Sequence, residues 1–197
     1  MEETNPIEVA VIIAMAIVLT LVPILVLKGR ARRRWRAAAA PTGLPLVHAA
    51  RIEKLVPGGE LVAQEDSRPV YWGPASGLQD QVVTSVLGVL RDEPPEAFVV
   101  STDGSPLGGP TFSTGDAEFD QAIVVGAKDS EAGCAYLTPR RRAALRKFFV
   151  ALPEGALSAG RIGRVHDGRM GTKELIRTLV AVKDALDGLS DSTPAGA

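Results

Sequence analysis

The chain opens on an unbroken apolar run. Val9 to Leu27 is 19 residues without a charge, thirteen of them Val, Ile or Leu, with only Thr20 and Pro23 interrupting the aliphatic pattern. As a helix it measures about 28 Å at 1.5 Å per residue, close to the roughly 30 Å hydrocarbon core of a bilayer. The thirteen aliphatic side chains supply about −4 to −8 kcal/mol towards insertion. The pattern predicts a single N-terminal transmembrane helix over Val9–Leu27, kinked at Pro23. Glu2, Glu3 and Glu8 precede the run, and Lys28, Arg30, Arg32, Arg33, Arg34 and Arg36 follow it. The positive-inside rule then predicts a short external N-terminus at residues 1–8 and a cytoplasmic remainder, in a single-pass arrangement. A cleaved signal peptide needs a basic leader and a small-residue cleavage site. Here the leader is acidic and the basic block sits where cleavage would fall.

Residues 28–42 form a basic juxtamembrane segment. From Lys28 to Ala40 only Gly29 and Trp35 depart from good helix formers, so the helix is expected to run on towards Pro41. Trp35 among arginines suits a headgroup layer, where each cation gains about 1 kcal/mol from anionic lipid. Lys28, Arg30, Arg32, Arg33, Arg34, Trp35 and Arg36 are therefore candidates for lipid-headgroup contact, or for setting topology alone, which is the plainer reading.

Pro41-Thr42-Gly43 and Pro45 break the pattern, and a cytosolic domain is expected over residues 43–188, with a disordered tail at 189–197. Short β-branched runs bounded by Gly and Pro predict strands at 60–63, 70–72, 82–90, 97–100 and 123–125. Helical spacing over Leu78, Val82, Val86 and Val89 competes with the third of these, and its β-branching favours the strand. The turn Asp92-Glu93-Pro94-Pro95 suggests that 82–90 and 97–100 form an antiparallel pair.

Further on, Thr138-Pro139 reads as an N-cap followed by a first-position proline. Leu145, Phe148, Phe149 and Leu152 then make one apolar stripe. A strand at 161–166 turns at Asp167-Gly168. Thr172 is expected to cap a last helix whose stripe is Leu175, Leu179, Val182 and Leu186, ending at Gly188. The expected class is α+β: a mostly antiparallel twisted sheet with two C-terminal helices on one face.

Charge narrows the functional classes. The chain carries 22 basic and 23 acidic residues, but six of the basic ones lie before Ala37, so the remainder is acidic. A nucleic-acid partner held by bulk positive charge is excluded. A single cysteine rules out an internal disulfide.

Candidate chemistry mostly fails on spacing. Gly104–Gly109 has the glycines of a phosphate loop, but Pro110 stands where the lysine must be. Asp116-x-Glu118-x-Asp120 opens like a calcium loop, yet Gln121 and Ala127 occupy the required Gly and Glu positions, leaving a solvated acidic turn. Cys134, His48 and His166 are too far apart for a zinc site, and Cys134 reads as a small buried apolar residue. His166 and Asp167 are strand neighbours on opposite faces, which is no dyad. No Ser sits in a nucleophile elbow. No cofactor is expected, and an enzyme is less favoured than a binding protein. Arg140, Arg141, Arg142, Arg146 and Lys147 remain. Three of them occupy the first turn of a helix, against its dipole, and together they form a possible patch for a protein partner or a lipid surface.

The stretch Thr114-Gly-Asp-Ala-Glu-Phe-Asp120, then Ile123-Val124-Val125, then Leu137-Thr138-Pro139 through Leu145, resembles a pattern in uncharacterised bacterial membrane-anchored proteins. The resemblance covers roughly residues 110–190. Ile123 replaces the aromatic usual there, and Ala135-Tyr136 precedes Leu137. It implies a bacterial inner membrane and a domain of unknown function, and it carries no catalytic residues. The expected function is that of a membrane-anchored protein whose cytosolic domain is a protein-interaction module. The alternatives are a membrane-proximal enzyme and a sensor of anionic lipid surfaces, with the bilayer and a protein as partners.

Overall fold

The computed structural model describes residues 6–48, 50–71, 78–104 and 109–190. Trp72, the centre of the glycine-rich 104–109 loop and most of the expected tail lie outside them. The elements run α1 (Pro6–Thr42), β1 (Leu46–His48), β2 (Arg51–Val56), β3 (Gly59–Tyr71), β4 (Leu78–Leu90), β5 (Val99–Ser101), α2 (Ala117–Ala122) and β6 (Val124–Gly126). They continue with α3 (Ser130–Tyr136), α4 (Pro139–Ala151), β7 (Ala156–Ser158), β8 (Arg161–Asp167) and α5 (Thr172–Leu189).

Eight strands form one sheet in the order β1-β2-β3-β4-β8-β7-β5-β6, with every ladder antiparallel. The helix α5 lies against β2, β3, β4 and β8, and also touches α1 and α4. Its stripe of Leu175, Leu179, Val182 and Leu186 is fully buried, as is Leu145 of α4, with Phe148, Phe149 and Leu152 nearly so. Burying an aliphatic side chain of this size contributes about 1.5–3 kcal/mol, so these two stripes anchor the helical layer. Two glycines admit α5 to the sheet. A Cβ at Gly58 would lie 1.8 Å from the Leu186 carbonyl oxygen, and one at Gly88 would lie 2.8 Å from the Leu186 side chain.

The membrane-spanning helix is corrected. Among the described residues no helix is long and apolar enough to cross a membrane. The transmembrane, single-pass and inner-membrane readings built on Val9–Leu27 therefore lose their support. Those 19 residues are part of one helix of 37. In that helix the apolar stretch joins the six basic residues without a break, and the far end is part of the folded domain. Trp35 and Ala38 are fully buried there and Ala39 nearly so. The helix does run to Pro41 and one residue beyond, with Pro23 inside it. Where its side chains are described, the first half is exposed, as at Met15, Val18, Leu19 and Leu25.

Pairing is the second correction. The strand at 82–90 does not pair with 97–100. β4 is bonded to β3 over Gly59↔Leu90 through Tyr71↔Leu78 and to β8 over Thr84↔His166 through Val89↔Arg161. Both of its edges are filled, and the proline turn instead carries the chain across the sheet to β5, which pairs with β6 and β7. The acidic turn at 116–120 is a short helix, α2, with Asp116 accepting from the Phe119 N–H as its N-cap. The residue Thr138 caps α4 as expected, accepting from the Arg141 N–H at 3.3 Å. Thr172 does not cap α5. Gly171 occupies that position without a side-chain bond.

Candidate functional site

All but one of the basic residues singled out in sequence have a described place. Arg30, Arg32, Arg33 and Arg36 are exposed on α1, and the Lys28 side chain lies outside the described residues. Trp35 sits in the core rather than among headgroups. Arg34 pairs with Glu65 of β3, whose other oxygen accepts from Arg169 at 3.1 Å. Burial and the neighbouring Arg169 charge lower the Arg34 pKa.

The patch at the start of α4 is engaged internally. Arg141 is buried, donating to the carbonyls of Leu189 and Tyr136 and to Asp92, with its guanidinium 4.0 Å from the Tyr136 ring centroid. Arg142 holds Asp116 and the Leu137 carbonyl. Arg146 spans Asp116 and Glu118, Lys147 pairs with Asp184 at 2.8 Å, and Arg140 donates to the Asp187 carbonyl. The charges that the helix dipole disfavours are offset by an acidic helix, α2, and by α5. This arrangement is a structural clamp rather than a free basic face.

A cavity lies beside that clamp, between α4 and α5. The two helices run antiparallel, since Lys147 meets Asp184 while Gly188 meets Ala144 so closely that a Cβ on it would lie 2.6 Å from the alanine Cβ. Towards the other end, Ala151, Ala181 and Ala185 are too small to fill the space between the helices, and a groove of about 290 Å³ opens over Phe148. At about 30 Å³ per water it holds about ten waters. Its walls are apolar, Val180 on its rim is 41% exposed, and the charged groups stand at the edges: Lys147 with Asp184, and Arg177. Such a space suits side chains from one face of an incoming segment.

Arg177 also lines a second, smaller pocket of about 70 Å³, with Leu152, Pro153, Glu154 and Arg164. Arg164 is on β8, two residues from His166, so the period-two alternation places both on one face. The Arg164 guanidinium, 9% exposed, is bound by Glu174 at 2.7 Å and by Glu154, and lies 3.3 Å from His166 Nδ1. The two carboxylates differ. Glu174 is in the first turn of α5 and 31% exposed, whereas Glu154 is in the α4–β7 connection and 71% exposed. Burial raises the Glu174 pKa. The hydrogen bond from Arg164, the charges of Arg164 and His166 and the Gly171 N–H more than offset this, and the net shift is downward. Among the described residues Arg177 has no ion pair.

The remaining sequence candidates stay apart. Among the described residues no three His, Cys, Asp or Glu side chains group as metal ligands. Cys134 is exposed rather than buried, on α3, because the buried positions of that short helix are Gly133 and Tyr136. Asp120 accepts from the Ser113 and Thr114 hydroxyls and the Thr114 N–H. Burial raises its pKa, and these bonds with the Gly115 N–H bring it down below the ordinary value. The groove itself had no sequence signal beyond alanines at 144, 151, 181 and 185, which helix propensity explains equally well. Comparison of the chain with protein-family models, curated proteins and solved structures finds no match.

Proposed function

We propose that the chain is a protein-interaction module whose docking surface is the groove between α4 and α5. The observation that carries this reading is the shape and lining of that groove: about 290 Å³, apolar walls, alanines that admit a third element, and charges confined to the rim. A groove between two antiparallel helices suits a helical segment that inserts an apolar stripe spaced i, i+3, i+4. The lined stretch of α5, from Arg177 to Ala185, is about 12 Å long, which matches about two turns of such a segment. The basic patch favours no lipid-sensing alternative, because Arg141, Arg142, Arg146 and Lys147 already hold carboxylates of this chain.

The test is selection of displayed 12-residue peptides on the full chain, with Ala151→Arg as the competing target. Ala151 is half-buried at the end of α4, and arginine there is a good helix former that occupies the groove. Equilibrium urea unfolding checks that the variant is folded, and Val180→Arg, at an exposed rim position, is a second block. The expected result is enrichment of peptides with helically spaced apolar residues that bind neither variant. Peptides that bind both variants as well as the parent chain would place the docking surface elsewhere.

A further inference from the structure

We infer that the docked segment presents an Asp or Glu side chain to Arg177 and Arg164, and that Glu154 holds that place when no segment is bound. The inference rests on the groove being the docking surface and specifies the chemistry of its partner.

The groove and the small pocket are joined at Arg177, which lines both. A segment lying in the groove therefore runs into two guanidinium groups at one end. At the rim by α4 the charge is already matched, Lys147 to Asp184. At the pocket end Arg164 holds both Glu154 and Glu174, while Arg177 is exposed and has no ion pair among the described residues. The pocket of about 70 Å³ has room for a carboxylate group.

Arg164 is suited to receive such a group. Its guanidinium is nine-tenths buried and is fixed from one side by Glu174 and His166. A buried guanidinium cannot be left without an anion, because removing one member of a desolvated pair is strongly unfavourable. Glu174 supplies that anion, and Glu154 adds a second carboxylate from a side chain that is 71% exposed. Glu174 is set in the first turn of a helix, while Glu154 is carried by a connection between elements. Displacing Glu154 exchanges one carboxylate for another on Arg164, so that bond is conserved. The incoming carboxylate adds a contact with Arg177, and Glu154 returns to water. Charge complementarity thus selects an acidic residue at the pocket end of the docked segment.

The exchange predicts that removing the Glu154 carboxylate from the protein tightens binding to an acidic ligand. The experiment uses two displayed libraries of 12-residue peptides, one encoded with Ala, Leu, Lys, Ser and Glu, the other with Gln in place of Glu. Both are selected on the full parent chain and on Ala151→Arg, Arg177→Gln and Glu154→Gln, with urea unfolding as the folding check. The Glu library is expected to exceed the Gln library about tenfold on the parent chain. Arg177→Gln should erase that excess, Glu154→Gln should enlarge it, and Ala151→Arg should abolish enrichment of both. Equal enrichment of the two libraries, still lost on Ala151→Arg, would overturn the carboxylate inference and leave the docking surface standing. Enrichment indifferent to Ala151→Arg, or none from either library, would overturn both.

Discussion

The contact of Leu186 with Gly88 offers a strict test of how α5 is seated. A methyl group built at Gly88 lies 2.8–2.9 Å from three side-chain carbons of Leu186, closer than carbon atoms tolerate, so Gly88→Ala must displace that leucine. Overpacking of this kind costs about 1–3 kcal/mol. Replacing a strand glycine returns about 0.5–1 kcal/mol of backbone entropy, which leaves a net loss of up to about 2.5 kcal/mol. Leu186 is fully buried, and Leu186→Ala should cost about 2–5 kcal/mol through lost burial and the cavity it leaves. In the double variant the new methyl group enters the vacated space instead of clashing. Adding Gly88→Ala to the Leu186→Ala background then keeps only the entropy gain and is stabilising by about 0.5–1 kcal/mol. The two changes should therefore be non-additive by at least about 1 kcal/mol, in the compensating direction. Equilibrium urea unfolding of the four proteins measures the cycle. Additivity within about 0.5 kcal/mol, or a stabilising effect of Gly88→Ala alone, would refute the seating of α5 on β4.

Three further outcomes follow from the buried charges. Glu65→Gln leaves Arg34 and Arg169 facing one another without their shared carboxylate, itself only 9% exposed; because Arg169 is 51% exposed, an expected loss of about 1–3 kcal/mol should appear as a lower urea midpoint. Arg141→Met removes the donors that hold the Leu189 and Tyr136 carbonyls and Asp92, with a loss of about 3–5 kcal/mol that calorimetry should register; an unchanged melting temperature would show that the clamp is dispensable. Glu174 has a lowered folded-state pKa, so its ionised form adds stability that is complete above the ordinary carboxylate value of about 4.3 and is lost as pH falls through the lowered one. Melting temperatures measured across that acid range should fall less steeply for Glu174→Gln than for the parent chain, and parallel curves would contradict the assignment.

Much of the fold was legible where a residue's role is local. The α4 and α5 stripes are patterns of 3.6-residue spacing, and Thr138-Pro139 is a cap that depends on the next three residues alone. The same holds for β4, where β-branching outweighed a competing helical spacing. What was not legible depends on which segments meet. No feature of 82–90 reveals that both of its edges are occupied, so the pairing with 97–100 was a reasonable inference from a proline turn and a wrong one. β2 was missed because Arg51-Ile-Glu-Lys-Leu-Val carries three charges in six residues, which a strand bearing exposed and half-buried side chains tolerates. The candidate site was invisible for a related reason. Arg164, Glu154, Glu174 and Arg177 are ordinary surface-type residues in sequence, and only the packing of β8 against α5 and the α4–β7 connection groups them. Of the basic residues that did stand out, Arg34 and those of α4 are used internally by the fold, whereas Arg30, Arg32, Arg33 and Arg36 are exposed.

The unbroken course of α1 has a mechanical consequence. A flexible tether lets two bodies move independently, and its reach grows only as the square root of its length. Thirty-seven residues of helix instead make a strut of about 55 Å. Its inner end is clamped by Trp35, by Ala38 and by the Arg34–Glu65 pair, so force on the far end acts on the core as torque rather than being lost as slack. Because α5 touches both α1 and α4, that torque falls on one wall of the α4–α5 groove. The bearing of α1 and that of the groove are therefore linked. A run of glycines inserted after Lys28 would uncouple the two without altering a single contact in the domain.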